Sequence, residues 1–188
     1  MTLTFVLGNG VSRQPIELTT LRKYGKIYGC NALYRHFTPD VLVATDPGIS
    51  TEIQKSGYAL KHKFYTRKPL PSLGANPIVY NYTYSSGPVA LTYASKSDPH
   101  TIYMLGFDLC GVNSKFNNVY ADTEFYKKSH DGPTYFGSWI EQITEIVRSH
   151  SKHQYIRVIA DNVLIPGEFH TLKNLSHIPI TQFCSDYK

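Results

Sequence analysis

The chain has 188 residues, 41% of them hydrophobic and 18% charged, and its 19 Lys and Arg against 14 Asp and Glu leave a formal charge of +5. This length suits one domain around one core, and the chain is too apolar and too weakly charged for an intrinsically disordered segment. No apolar run approaches the ~18 residues of a membrane-crossing helix, and Met1-Thr2-Leu3-Thr4 lacks the basic start of a signal peptide, so a cytoplasmic protein is expected.

In chain order, residues 3–7 (LTFVL) read as a buried strand closed by Gly8-Asn9-Gly10, and 16–23 as a short helix with Leu18 and Leu21 on one side. Strands are predicted at 26–32 and 41–45. The second ends in the turn signature Asp46-Pro47-Gly48, and a helical turn or two follows over 50–56. Residues 61–66 and 78–81 are strand-like. Ser85-Ser86-Gly87-Pro88 opens a helix that runs to about Ser97, since Ser is a good N-cap and Pro fits the first turn, where its missing N–H had no partner. Residues 101–107 (TIYMLGF) are the most strand-like run and end at Asp108. Residues 138–149 form the clearest helix, with Trp139, Ile143, Ile146 and Val147 opposite Glu141, Glu145 and Arg148; 154–160 is the last strand. Strands alternating with helices predict a Rossmann-like α/β fold, a mostly parallel sheet sandwiched by helices.

The three cysteines, Cys30, Cys110 and Cys184, are widely spaced and odd in number, which argues against a disulfide framework or a zinc ribbon and for free, buried thiols. His150 and His153 share a face near the end of a helix, but no carboxylate or Cys stands at matching spacing, so they read as surface residues. No metal is indicated: Asp46 and Asp108 would accept Mg2+, but there is no D-x-D motif.

In an open parallel sheet the ligand crevice lies beyond the carboxyl ends of the strands. The residues there are Gly8-Asn9-Gly10-Val11-Ser12-Arg13, then Asn31, Asp46, Ser85-Ser86-Gly87 and Asp108. Glycines let backbone approach phosphates, amides and carboxylates read base and ribose, and a helix N-terminus favours an anion. The sequence G-N-G-V-S-R lacks the third glycine of a dinucleotide fingerprint and has no Walker lysine; by itself it also fits a plain tight turn.

Together, Leu7-Gly8-Asn9-Gly10-Val11-Ser12, Cys30-Asn31-Ala32-Leu33-Tyr34, Ser85-Ser86-Gly87 and Ile102-Tyr103-Met104-Leu105-Gly106-Phe107-Asp108 resemble, in order, the motifs of bacterial lipooligosaccharide sialyltransferases. A related group of the 6-hydroxymethylpterin diphosphokinase type shares the G-N-G-x-S loop and the C-N strand end. The resemblance implies a sialyltransferase-like Rossmann sheet that takes a nucleotide or a sugar nucleotide such as a CMP-sugar as substrate, with no further cofactor. Asn9 and Asn31 would contact phosphate, ribose or base, Ser12 would lie near the phosphates, and Ser86-Gly87 would face the pyrimidine or sugar. Tyr120 and Tyr126 match two tyrosines that assist phosphate departure. The family's histidine base has no counterpart in Tyr135-Phe136-Gly137-Ser138-Trp139, so His130, nearby, or Asp108 takes that role. The missing histidine keeps open a nucleotide-sequestering protein without transfer chemistry, and the diphosphokinase-like relatives a phosphotransferase. Enzymes of this kind often oligomerise, which leaves a homo-oligomer open; the sequence itself does not give the oligomeric state.

Lys61, Lys63, Arg67 and Lys68 interleave with Phe64 and Tyr65. These cations either grip a nucleic-acid acceptor or, on an edge strand, block edge-to-edge pairing; the edge-strand reading is preferred. Residues 1–188 thus read as one nucleotide-binding domain with a Tyr-rich insertion at about 111–137, of a size and charge that suit a bacterial or phage accessory enzyme.

Overall fold

The computed structural model describes residues 3–161 and 163–187, so Met1 and Thr2 of the N-terminal reading lie outside it. Among these residues eight strands form one all-parallel sheet: β1 (Leu3–Leu7), β2 (Gly25–Cys30), β3 (Val41–Ala44), β4 (Phe64–Thr66), β5 (Asn76–Pro77), β6 (Thr101–Leu105), β7 (Gln154–Ile159) and β8 (Leu175–Pro179). Their spatial order is β5-β4-β3-β2-β1-β6-β7-β8. Among the described residues four α-helices flank the sheet: α1 (Pro47–Lys55), α2 (Ser86–Lys96), α3 (Gly137–Ser149) and α4 (Ile180–Asp186). The fold is Rossmann-like. Among the described residues no helix is long and apolar enough to cross a membrane.

Burial on both faces explains why β1 and β3 are apolar without alternation. Phe5, Leu7, Leu42 and Leu105 pack on one face with Ile49 and Ile53 of α1 and Phe183 of α4. Val6, Val41, Val43, Ile102 and Met104 pack on the other with Val89, Ala90 and Leu91 of α2 and Ile143, Ile146 and Val147 of α3. Each α3 residue predicted to face the core is buried or packed against it, and Glu141, Glu145 and Arg148 face outward.

Several expected boundaries move. Residues 16–23 form turns and a single 3-10 turn at Thr20–Lys23, which still buries Leu18 and Leu21. The strand expected to reach residue 32 stops at Cys30, because Asn31 turns left-handed (φ 55°) into a 3-10 segment, Asn31–Arg35. In 61–66 only Phe64–Thr66 is strand, and β5 flanks it, so β4 is not an edge and the edge-blocking role expected for its cations is overturned. The strand expected at 78–81 ends at once: the Ile78 N–H still donates to the Thr66 carbonyl (2.9 Å), but the Val79 N–H donates to the Tyr93 hydroxyl (3.1 Å), and Asn81 adopts φ 48°. β8 and α4 had no predicted counterpart. The insertion is irregular apart from one antiparallel bridge, Val112 to Lys115. All three cysteines are free, but only Cys30 is fully buried, and His153 is buried rather than on the surface.

Candidate functional site

The chain runs outward from β1 through β2 to β5, then returns to place β6 against the other side of β1. In an open parallel sheet a ligand crevice is expected at such a reversal, outside the carboxyl ends of the strands. A cleft of about 440 Å³ opens there, and Gly8, Asn9, Gly10, Asn31, Asp46, Ser85, Ser86, Gly87, Asp108 and Tyr126 all line it. Ten predicted residues from six separate stretches thus come together. Ser12, Tyr120 and His130 do not line it.

The glycine loop has a different purpose from the one expected. The Gly8 N–H donates to the Leu105 carbonyl (2.8 Å) and the Gly10 N–H to the Gly106 carbonyl (2.9 Å). The Val11 N–H donates to Asn117 Oδ1 (2.9 Å), and the Ser12 N–H and hydroxyl both donate to the Asp108 carboxylate. Those donors are spent inside the protein, not held for a phosphate. The glycines are needed because the loops after β1 and β6 touch: a Cβ on Gly8 would stand 2.5 Å from the Gly106 carbonyl oxygen, and one on Gly10 would strike the Asp108 carboxylate. Asn117 Nδ2 adds a third donor to Asp108 (3.0 Å), so that carboxylate is an organiser of the loops. From behind, fully buried Arg157 donates to the carbonyls of Phe107 and Asp108, both at 2.7 Å.

Arg13, only 5% exposed, donates through Nε to the Gly8 carbonyl (2.7 Å) and through Nη2 to the Tyr120 hydroxyl (3.0 Å). Tyr120 is therefore a strut in the wall of a second cavity, about 400 Å³, that it shares with Arg13 and His36. Burial pushes its hydroxyl pKa up to about 12. His130 has a 77% exposed side chain, 3.9 Å from the Asp131 carboxylate. The loop carries it outward.

Open polar groups in the cleft come from elsewhere. Ser85 Oγ accepts from Trp139 Nε1 (2.9 Å), and Ser86 Oγ is taken up with Thr45, so neither hydroxyl caps α2. The Ser86 and Gly87 N–H groups have no partner among the described residues, which leaves the positive end of α2 facing the cleft. Lys127 is the one cation among the lining residues, and Phe116, Phe125 and Trp139 are its flat apolar walls. Asp46 is exposed, does not cap α1 through its side chain, and forms no ion pair among the described residues. The Tyr126 hydroxyl accepts from the Ala32 N–H (3.2 Å), and burial holds it protonated well above the usual tyrosine range. Burial likewise pushes the Cys30 thiol up to about 12, so no thiolate is on offer.

Asn31 stands apart. Its Oδ1 is buried and without a partner, on a residue in the left-handed region, at the end of β2 where it lines the cleft. Among the described residues no group of three or more His, Cys, Asp or Glu is placed to hold a metal ion. The sequence reading missed Asn117, Lys127, Phe116, Phe125, Trp139 and Arg157. All but Trp139 and Arg157 belong to the irregular insertion, where no period marks which side chains turn inward. No protein-family model, curated protein or solved structure matches the chain.

Proposed function

We propose that the cleft binds a nucleotide-activated sugar and that the protein is a glycosyltransferase-like enzyme, in keeping with its resemblance to bacterial sialyltransferases. The observation that carries this reading is the unpartnered Asn31 Oδ1. A buried carbonyl oxygen without a donor costs ~1–3 kcal/mol, and an N–H of a base edge or a ribose hydroxyl relieves it. The phosphates meet the open end of α2 and Lys127, and the protonated Tyr126 hydroxyl donates to the phosphate as it leaves. Phe116, Phe125 and Trp139 offer faces for base and sugar.

Transfer joins an acceptor hydroxyl oxygen to the anomeric carbon while the bond from that carbon to the phosphate oxygen breaks. The acceptor's proton goes to a base within reach of a hydrogen bond. His130 lies outside the cleft and Asp108 already accepts three hydrogen bonds, so Asp46 takes the proton. One observation favours a second reading, a nucleotide-binding protein without transfer: no histidine lines the cleft.

A thermal-shift panel of nucleoside monophosphates and sugar nucleotides tests the pocket, since a ligand at 100 times its Kd adds ~2.7 kcal/mol. A shift with the sugar nucleotide, and nucleotide release on adding acceptors that falls sharply in Asp46→Asn, is expected. A shift with no release from any acceptor moves the assignment to the binder. No shift with any member removes the pocket reading.

A further inference from the structure

Residues 53–97 contain six basic residues, Lys55, Lys61, Lys63, Arg67, Lys68 and Lys96, and no Asp or Glu. The other thirteen basic residues are balanced by fourteen acidic ones, so this segment holds the whole positive excess of the chain. None of the six forms an ion pair among the described residues. Nor do they guard a sheet edge, because β5 covers β4.

Part of the segment folds into a ladder of rings flanked by cations. Lys63 Nζ lies 5.7 Å from the centre of the Tyr65 ring, Tyr65 is 4.3 Å from Tyr93, Tyr93 is 5.5 Å from Tyr80, and Lys96 Nζ is 4.5 Å from Tyr80. Just after β4, the Arg67 guanidinium is 5.9 Å from the Tyr82 ring and donates to the carbonyls of Tyr82 and Tyr84, both at 2.8 Å. Ser85 and Ser86 of the cleft come next in the chain. Tyr80 and Tyr82 remain 42% and 50% exposed. Large aromatic side chains held open between cations, with no carboxylate in the segment, have no role in the core.

We propose that this face docks a single-stranded polynucleotide, with bases stacked on Tyr80 and Tyr82 and phosphates on Lys63, Arg67 and Lys96. Each base has a face to stack on a tyrosine, and each linkage has a charge for a spaced cation. An acidic peptide or a lipid headgroup uses the charges but leaves the rings idle. On the sugar-nucleotide reading of the cleft, the docked strand is the acceptor. Docking itself needs no ligand in the cleft.

The test is fluorescence anisotropy of the full chain with labelled oligodeoxythymidylate, about a dozen nucleotides long, and a matching oligouridylate arm. With three phosphates neutralised at a slope of about −0.7 each, affinity should fall about twentyfold between roughly 50 and 200 mM salt. Tyr80→Ala and Tyr82→Ala should each weaken binding about tenfold or more without changing that slope, and the corresponding Phe variants should bind like the parent. Lys63→Gln with Lys96→Gln should reduce the slope by about 1.4. The proposal is overturned by absence of binding to both oligonucleotides at low salt, by Ala variants that bind like the parent, or by polyglutamate or anionic vesicles competing as well as the oligonucleotide. The nucleotide-induced thermal shift should be unchanged in these variants, so failure of this face and failure of the cleft reading are separately visible.

Discussion

Asn31 carries an unpartnered buried amide oxygen on a backbone at φ 55°, and both features cost stability in the fold. Glycine adopts that φ freely, so Asn31→Gly removes both the backbone strain and the orphan oxygen. Its stability should stay within about 1 kcal/mol of the parent, because the gain in the fold is offset by a freer unfolded chain. Nucleotide affinity should nevertheless drop about tenfold, the worth of one well-placed hydrogen bond. Paired melting curves with and without nucleotide check this; an unchanged ligand shift would remove Asn31 from the pocket. Asp108 behaves in the contrary way. Its carboxylate accepts from the Ser12 N–H, the Ser12 hydroxyl and Asn117 Nδ2, and an amide there loses the charge that strengthens all three bonds. Asp108→Asn should therefore cost about 1–3 kcal/mol in urea unfolding before any ligand is added. Equal stability would mean that the loops after β1 and β6 hold each other without it.

At the scale of elements, the edge strand β8 carries one partly buried titrating group. His177 of β8 stands in register with Arg157 of β7, and its ring stacks 6.2 Å from Phe169. Burial, then the charges of Arg157 and His170, lower its pKa to about 4, against ~6.5 for a free histidine. The unfolded chain therefore binds a proton that the fold refuses, and stability from this site is full above about pH 6.5 and lost as pH falls toward 4. His177→Phe keeps a ring beside Phe169 and removes the titration. The variant should lose less melting temperature than the parent between those two pH values, and parallel curves would rule out His177 as the acid-sensitive group. α4 is pinned to the middle of the sheet by one deeply placed ring: Phe183 is fully buried against Phe5 of β1, Tyr103 of β6 and Tyr187. Removing such a ring usually costs ~3–5 kcal/mol. Phe183→Ala should show that loss in denaturant melts despite the seven-residue length of its helix.

Across the whole molecule, legibility in the sequence followed the reach of the interactions. The central strands and α2 and α3 could be read because burial on two faces, a proline in the first turn of α2 and helical spacing are local marks. β8 and α4 could not, since β8 is a half-exposed edge ending in Pro179 and α4 buries only Phe183. The cleft was located from strand ends alone, yet its inner workings depend on contacts about a hundred residues apart, such as Ser12 to Asp108 and Val11 to Asn117. No spacing rule encodes these. The same reach gives the last prediction. Because the cleft wall draws on the loops after β1, β2, β3 and β6, the start of α2 and part of the insertion, one bound sugar nucleotide should slow amide hydrogen exchange in all of them together. Residues 8–12, 31–35, 45–46, 86–87, 106–110 and 116–127 should gain protection as a unit, while 63–67 and 79–82 stay unchanged until an oligonucleotide is added. Protection confined to one loop would mean that the nucleotide meets only that loop, and the reversal between β1 and β6 would then organise the fold without organising a site.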